Sequence, residues 1–526
     1  MKRVPLLKWS RVFFAILFFL PVTLFFIDFR DMFPDRVSAL LEYQLVPALL
    51  GGFAGILLFQ FVLALLFGRI YCSVLCPAGI LQDVINRLYC IGKKKKKGTR
   101  RFSYHSPMNV LRYGLLGVTI LFALFGFTGL LMLLDPYSNF GRIATNLFRP
   151  VTMWINNLAA DFLMRVDNYS LYHVTVTTVT TAALIAALVA LILFIVLVAW
   201  RGRLFCNTLC PVGSLLGLIS RYSLFRVSFD KNNCIQCGLC AQSCKAEAID
   251  AKQMTVDTSR CVDCFNCIGS CSKNSLTYRF NPVWKRDRVV LPVELSVDSS
   301  ATPHPNGRRS FLATTVAIAG SVSSVSTLAN KIVPIEDPKI EKWPPVTPPG
   351  SLSLERFKDK CTACHLCVVQ CPSHVLRPAG LEYGFDFLLR PHLAYIDSYC
   401  NYECTVCSDV CPTGAIRPLT KEEKITTQVG VAKFMIERCI VHTEKTDCGA
   451  CSEHCPTQAV HMVPYEGTLT IPAVTEELCI GCGGCESICP VRPVRAIIVK
   501  SNIEHIFVEP PKEEKVKEVQ IDDFGF

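Results

Sequence analysis

Hydrophobic positions fall into four long runs in the first half of the chain and almost none in the second. Val12 to Ile27 is apolar and ends at Asp28. Further runs cover about Leu45 to Phe67, Tyr113 to Leu134 and Val176 to Trp200. Each is near the ~20 residues that an α-helix needs to cross a bilayer. The pattern predicts a membrane domain over residues 1–228, with the first run read as a helix rather than a removable leader, because no small-residue cleavage site follows it.

Charge between the runs sets the expected orientation. Residues 69–112 hold ten Lys or Arg and one acid, Asp83, with Lys93 to Lys97 at their centre; residues 28–44 hold two Arg and four acids, and residues 135–175 three of each sign. A basic loop belongs in the cytoplasm, so the amino terminus is expected inside and the chain returns inside at Arg201. The overall charge of +11 is therefore a topology signal, and no aromatic-and-basic module for nucleic acid accompanies it.

The two pairs of runs are repeats. Gly68-Arg-Ile-Tyr-Cys72-Ser-Val-Leu-Cys76-Pro77-Ala-Gly79 closes the second run, and Gly202-Arg-Leu-Phe-Cys206-Asn-Thr-Leu-Cys210-Pro211-Val-Gly213 closes the fourth. Cysteines four apart share one side of a helical turn. Pseudo-twofold packing of the halves would bring Cys72, Cys76, Cys206 and Cys210 together, as the site of a further cluster or metal, a redox dithiol or a pair of packed turns.

The chain has 29 cysteines, and 24 of them form six groups of four. Most follow C-x2-C-x2-C-x3-C, in which three thiolates bind three corners of an iron–sulfur cube and the fourth comes from elsewhere. Cys234, Cys237, Cys240, Cys244 and Cys261, Cys264, Cys267, Cys271 lie in a segment, 229–282, expected in the cytoplasm. Their spacing is that of bacterial two-cluster ferredoxins. That resemblance implies one cube on Cys234, Cys237, Cys240 and Cys271, and another on Cys261, Cys264, Cys267 and Cys244. Lys245 and Ser272 replace the proline usual after the fourth cysteine.

Residues 283–307 read as a linker. The stretch Asn306-Gly307-Arg308-Arg309-Ser310-Phe311-Leu312, followed by mildly apolar residues to Asn330, looks like a twin-arginine export signal placed mid-chain, so 308–331 is expected to be a fifth, anchoring helix leading outward. A proline-rich spacer is expected over 332–352. Beyond it, over 353–508, lie Cys361, Cys364, Cys367, Cys371; Cys400, Cys404, Cys407, Cys411; Cys439, Cys448, Cys451, Cys455; and Cys479, Cys482, Cys485, Cys489, each group ending in Cys-Pro. The second and third groups have lengthened first loops, and which fourth cysteine serves which cube stays open. Cys361-Thr-Ala-Cys364-His365 also matches the haem-attachment signal, but that reading would strand Cys367 and Cys371, so no haem is expected. His365 is expected to be a surface residue or to lie just behind a cluster. Residues 509–526 form a charged tail.

The first half resembles NapH-type membrane quinol dehydrogenases of periplasmic nitrate reductase systems, and the second their NapG-type partners; the MauN and MauM proteins have the same layout. The resemblance implies an α-helical membrane domain with two ferredoxin-like α+β units, one cytoplasmic and one periplasmic, in an inner membrane. It also implies about six [4Fe–4S] clusters, quinol from the quinone pool as electron donor, and a periplasmic reductase or c-type cytochrome as acceptor. Asp135, Asp161, Asp167 and His173 are candidates for taking the proton from quinol. The alternative is an assembly factor, resembling the NosR regulator or a cupric reductase, whose paired C-x3-C-P motifs handle metal or thiols.

Overall fold

The computed structural model describes residues 6–30, 32, 38–92, 102–175, 180–281 and 343–508. Lys93 to Lys97, the linker 283–307, the Arg308–Arg309 segment with its anchor 308–331, and the tail 509–526 lie outside the described residues.

Two helices are long and apolar enough to cross a membrane, Leu6–Ile27 and Thr181–Arg201. The other two apolar runs are interrupted. Leu45–Gly51 stops at Gly52, whose φ of 79° only glycine adopts without cost, and the chain resumes as Ala54–Phe67. Asn109–Leu124 likewise turns at Gly126, with φ 80°, before Gly129–Leu134. Asp135 then caps Pro136–Ile143. Its carboxylate accepts the Ser138 N–H at 2.8 Å, and proline at the first helical position needs no donor of its own. This helix passes through a π-helical turn, Ala144–Phe148, into Arg149–Met164.

The first ferredoxin unit is closed by an antiparallel pair, Phe225–Phe229 with Leu276–Phe280, and both cysteine motifs lie between these strands. The second unit has three antiparallel pairs. Leu376–Pro378 pairs with Pro391–Leu393, Val460–Pro464 with Thr470–Val474, and Thr427–Phe434 with Ile497–Phe507, the last interrupted by a bulge between Ser501 and Ile506.

The proline-rich stretch corrects an expectation. From Trp343 onward it is part of the second unit rather than a spacer. Val346 and Thr347 are buried; the Val346 carbonyl accepts the Leu393 N–H at 2.9 Å, and the Pro345 carbonyl accepts the Ser501 hydroxyl at 3.0 Å. The Trp343 ring lies under the ammonium groups of Lys433 and Lys500. Composition identifies an extended segment, but only tertiary packing decides whether such a segment is solvated.

The two units sit at opposite ends of the helices. Helix Ala54–Phe67 ends against the first unit, where Leu65 O accepts Leu224 N–H at 2.9 Å and Phe67 stacks on Phe225. Helix Thr181–Arg201 ends there too, with Arg201 on Glu247 at 2.9 Å. The other ends meet the second unit. Phe25 O accepts Gln370 at 3.2 Å, Thr128 donates to Lys358 O at 2.9 Å, and Thr180 to Pro378 O at 3.2 Å. One apolar core runs without a break from Val227 through Phe26 and Phe194 to Phe357; a second, around Val441, Ala459 and Ile497, holds the last two motifs.

Candidate redox centres

In the first unit, one cavity is lined by Cys234, Cys237, Cys240 and Cys271, and another by Cys244, Cys261, Cys264 and Cys267. This is the exchanged grouping that the two-cluster ferredoxin resemblance implies. The second unit repeats it twice. Cys361, Cys364 and Cys367 face Cys411, while Cys400, Cys404 and Cys407 face Cys371. Cys439, Cys448 and Cys451 face Cys489, while Cys479, Cys482 and Cys485 face Cys455. Each trio thus has beside it the fourth thiol of the neighbouring motif. The groups form a row: Cys367 neighbours Cys407, and Cys400 neighbours Cys482, whose carbonyl accepts the Cys400 N–H at 2.9 Å.

The backbone around these thiols fits an anionic cluster. In the four regular motifs the second and fourth residues after the first cysteine are left-handed: Gln236 and Gly238, Asp263 and Phe265, Ala363 and His365, Gly481 and Gly483. Such alternation turns successive N–H groups inward as a nest for negative charge. Ala363 N–H reaches Cys361 Sγ at 3.4 Å, and Ala432 N–H reaches Cys479 Sγ at the same distance. Burial pushes the Cys361 and Cys244 thiols up to about 11 and those of Cys364 and Cys482 up to about 12, so iron binding must displace protons.

Two residues acquire a role that local reading did not assign. Lys245, standing where proline is usual, reaches with its ammonium to Asp83, and its carbonyl accepts the Arg203 N–H at 2.9 Å. The substitution therefore docks the first unit. His365 is fully buried rather than on the surface. Nε2 lies 2.9 Å from Leu389 O and Nδ1 3.2 Å from the Asn146 side chain. Burial, with the positive charge of Arg142, pushes it down to about 3, so the ring is neutral.

Cys72, Cys76, Cys206 and Cys210 converge between the repeats, each at most 3 % exposed. Cys90 is exposed and belongs to no group of four. Of the proton-acceptor candidates, Asp161 and His173 pair with each other at 2.8 Å on the surface, and Asp167 is exposed. Asp135 is buried. Its Oδ1 has no hydrogen-bond partner, and it lies within electrostatic reach of Cys364.

A family model described as a 4Fe-4S binding domain matches residues 48–98 and again 181–232, which are the two repeats. A 4Fe-4S dicluster domain matches 360–443 and 446–492, and a further 4Fe-4S binding domain matches 227–250. The methylamine utilization ferredoxin-type protein MauM of Methylorubrum extorquens is 30% identical over 198 residues, which are 36% of this chain and 87% of that protein. The ferredoxin-type protein NapG of Escherichia coli is 29% identical over 203 residues, 36% of this chain and 84% of that protein. The MJ0749 protein of Methanocaldococcus jannaschii is 25% identical over 184 residues, and the chain spans only 54% of its length. No solved structure matches.

Proposed function

The chain belongs to the MauM and NapG family of ferredoxin-type proteins, and on that premise we propose that this iron–sulfur electron-transfer protein oxidises quinol in a membrane and delivers the electrons to a periplasmic reductase or cytochrome. The observation that carries this reading is the placement of ferredoxin units at both ends of one set of apolar helices. The six groups of four cysteines each hold a [4Fe–4S] cluster, two in the first unit and four in the second. Bound clusters supply one-electron transfer with little rearrangement.

The four apolar runs form the membrane domain, in two pseudo-repeats. Their outer surfaces support this, since Phe13, Leu17, Ile185 and Ile192 are each more than half exposed, a cost in water and a fit to lipid. Basic residues 69–112 support a cytoplasmic amino terminus and first unit, with the second unit in the periplasm of a bacterial inner membrane. Asn281 and Trp343 lie at opposite ends of the helices, which supports a fifth crossing within 308–331, led by Arg308 and Arg309.

Asp135 is the residue placed to take the quinol proton. Beside it Arg142 Nη1 and Asn146 Oδ1 are also buried without a partner, and Tyr137 lies against Cys364. These buried polar groups would bind a quinol head group next to Cys361, Cys364, Cys367 and Cys411. The test uses the full chain in liposomes with a reduced quinone. The expected result is bleaching of the cluster absorbance, and slowing of at least tenfold in Asp135→Asn. Clusters that dithionite reduces but no quinol does would end this reading.

A further inference from the structure

The two cluster cavities of the first unit are placed differently. Its strands, Phe225–Phe229 and Leu276–Phe280, stand off the helix ends. Phe225 and Phe280 are partners at the end where Phe67 stacks on Phe225, and Phe229 and Leu276 are partners at the other. Four residue steps of about 3.3 Å put that far end roughly 13 Å further out. The cavity of Cys234, Cys237, Cys240 and Cys271 is also lined by Phe229 and Ser275, at the far end. The cavity of Cys244, Cys261, Cys264 and Cys267 is lined by Val227, in mid-strand, and Lys245 beside it reaches Asp83 in helix Pro77–Gly92. One group thus lies toward the helices and the other away from them. Cys240 of the outer group neighbours Cys267 of the inner one.

The outer group is open to solvent. Of the 24 cysteines in the six groups, Cys237 alone is exposed. Ile235 and Leu239 on either side of it are 61% and 44% exposed, apolar surface left in water beside a redox centre.

Charge around this opening has one sign. Between residues 225 and 281 the exposed charged side chains are Lys231, Lys252, Lys273 and Arg279. Every carboxylate of that stretch is half-buried or buried, and Asp230, Asp250 and Asp257 are each taken by a neighbour within three residues. Lys273 lines the outer cavity itself. Lys252 follows Ala251, which lines it, and Lys231 lies two residues beyond Phe229, which does too. An apolar centre rimmed by polar residues is the make-up of a protein docking surface, and a rim of cations selects an acidic partner.

We infer that the first unit is a second electron entry, at which a small, soluble, acidic one-electron carrier protein docks over Ile235, Cys237 and Leu239 and is steered there by Lys231, Lys252 and Lys273. The reduced carrier loses one electron to the cluster on Cys234, Cys237, Cys240 and Cys271. That electron passes to the inner group, and so toward the helices, where Cys240 neighbours Cys267. No bond is made and no proton moves. The outward position disfavours anionic lipid as the occupant, since these lysines are at the end of the unit away from any bilayer the helices cross. The inference rests on the reading that the cysteine groups carry clusters, and it adds an input that quinol does not supply.

The test uses the anaerobically purified full chain and a reduced flavodoxin, an acidic one-electron carrier whose oxidation is followed by its own flavin colour. The second-order rate of electron transfer should fall at least tenfold as salt is raised to about 0.3 M. The triple variant Lys231→Glu/Lys252→Glu/Lys273→Glu should be reduced at least tenfold more slowly by flavodoxin, and at an unchanged rate by methyl viologen radical, which needs no docking. Rates insensitive to both salt and charge reversal would overturn the proposal. So would protection of the three lysines from acylation by anionic phosphatidylglycerol vesicles, or a cross-link from Lys273 to residues 283–342 of the same chain, because the surface would then already have an occupant. Clusters that dithionite reduces but flavodoxin does not would remove this entry and leave the six-cluster reading intact. Clusters that flavodoxin reduces but quinol does not would support it and remove the quinol reading.

Discussion

The two ferredoxin units are attached to the same helices by different physics. The first is held by charge: Asp83 receives Arg11 at 2.5 Å and Arg203 at 2.7 Å together with the Lys245 ammonium, and Glu247 receives Arg201. The second is held by close backbone approach and hydrogen bonds with no ion pair among those described. Its Cys364 carbonyl lies where a Cβ on Gly141 would come within 2.6 Å, His365 meets Asn146, and Arg390 meets Thr128 at 2.8 Å. A charged contact tolerates little loss of a partner, because what remains is a buried unpaired ion. Contacts without an ion pair fail piecemeal.

The comparison can be broken most severely at the thiols. Cys264→Ala should remove one cluster from the first unit and unfold it, and Cys367→Ala should do the same to the first pair of the second unit while its last pair survives on its own core. Iron content and limited proteolysis read both. Next comes Asp83→Asn, which strands three cations. A loss of about 3–5 kcal/mol is expected in the stability of the first unit, with no change in the second, measured by thermal unfolding followed separately for each unit.

Acid separates the units more finely. Burial pushes His392 and His505 of the second unit down to about 4, below the ordinary value near 6.5. Unfolding lets them protonate, so their contribution is complete above about pH 6.5 and is lost as pH falls toward 4. Asp83 is held below its ordinary range by Arg203, Lys245 and Arg11 against the cost of burial. Its contribution is complete above about pH 4 and disappears only at lower pH. The second unit should therefore lose stability between pH 6.5 and 4 while the first holds, and hydrogen exchange across that range checks it. The smallest effect expected is from Thr420→Ala, which deletes a capping box with Glu423 and should cost about 1 kcal/mol, visible as faster exchange in Lys421–Thr426 alone.

How far these features can be read from residues alone follows from their range. Cysteine spacing is local, so the six groups and the repeat at Gly68 and Gly202 are evident in the chain. The thiol exchange in the second unit is not, because the lengthened loops before Cys404 and Cys448 erase the regular spacing. The breaks at Gly52 and Gly126 fall inside continuous apolar runs, where hydropathy has no term for backbone conformation. Pairings such as Lys245 with Asp83, or Arg69 with Cys206, join positions more than a hundred residues apart and have no local signature.

The exchange of fourth thiols has a consequence for how the protein is made. Since the fourth thiol of every motif lies against the other three of its neighbour, neither member of a pair can be a finished binding site until the other has folded around it. Iron supply should then be felt in steps of two: a starved cell would make molecules with a pair filled or a pair empty, and few in between. The filling of one site in each pair would then report the filling of the other.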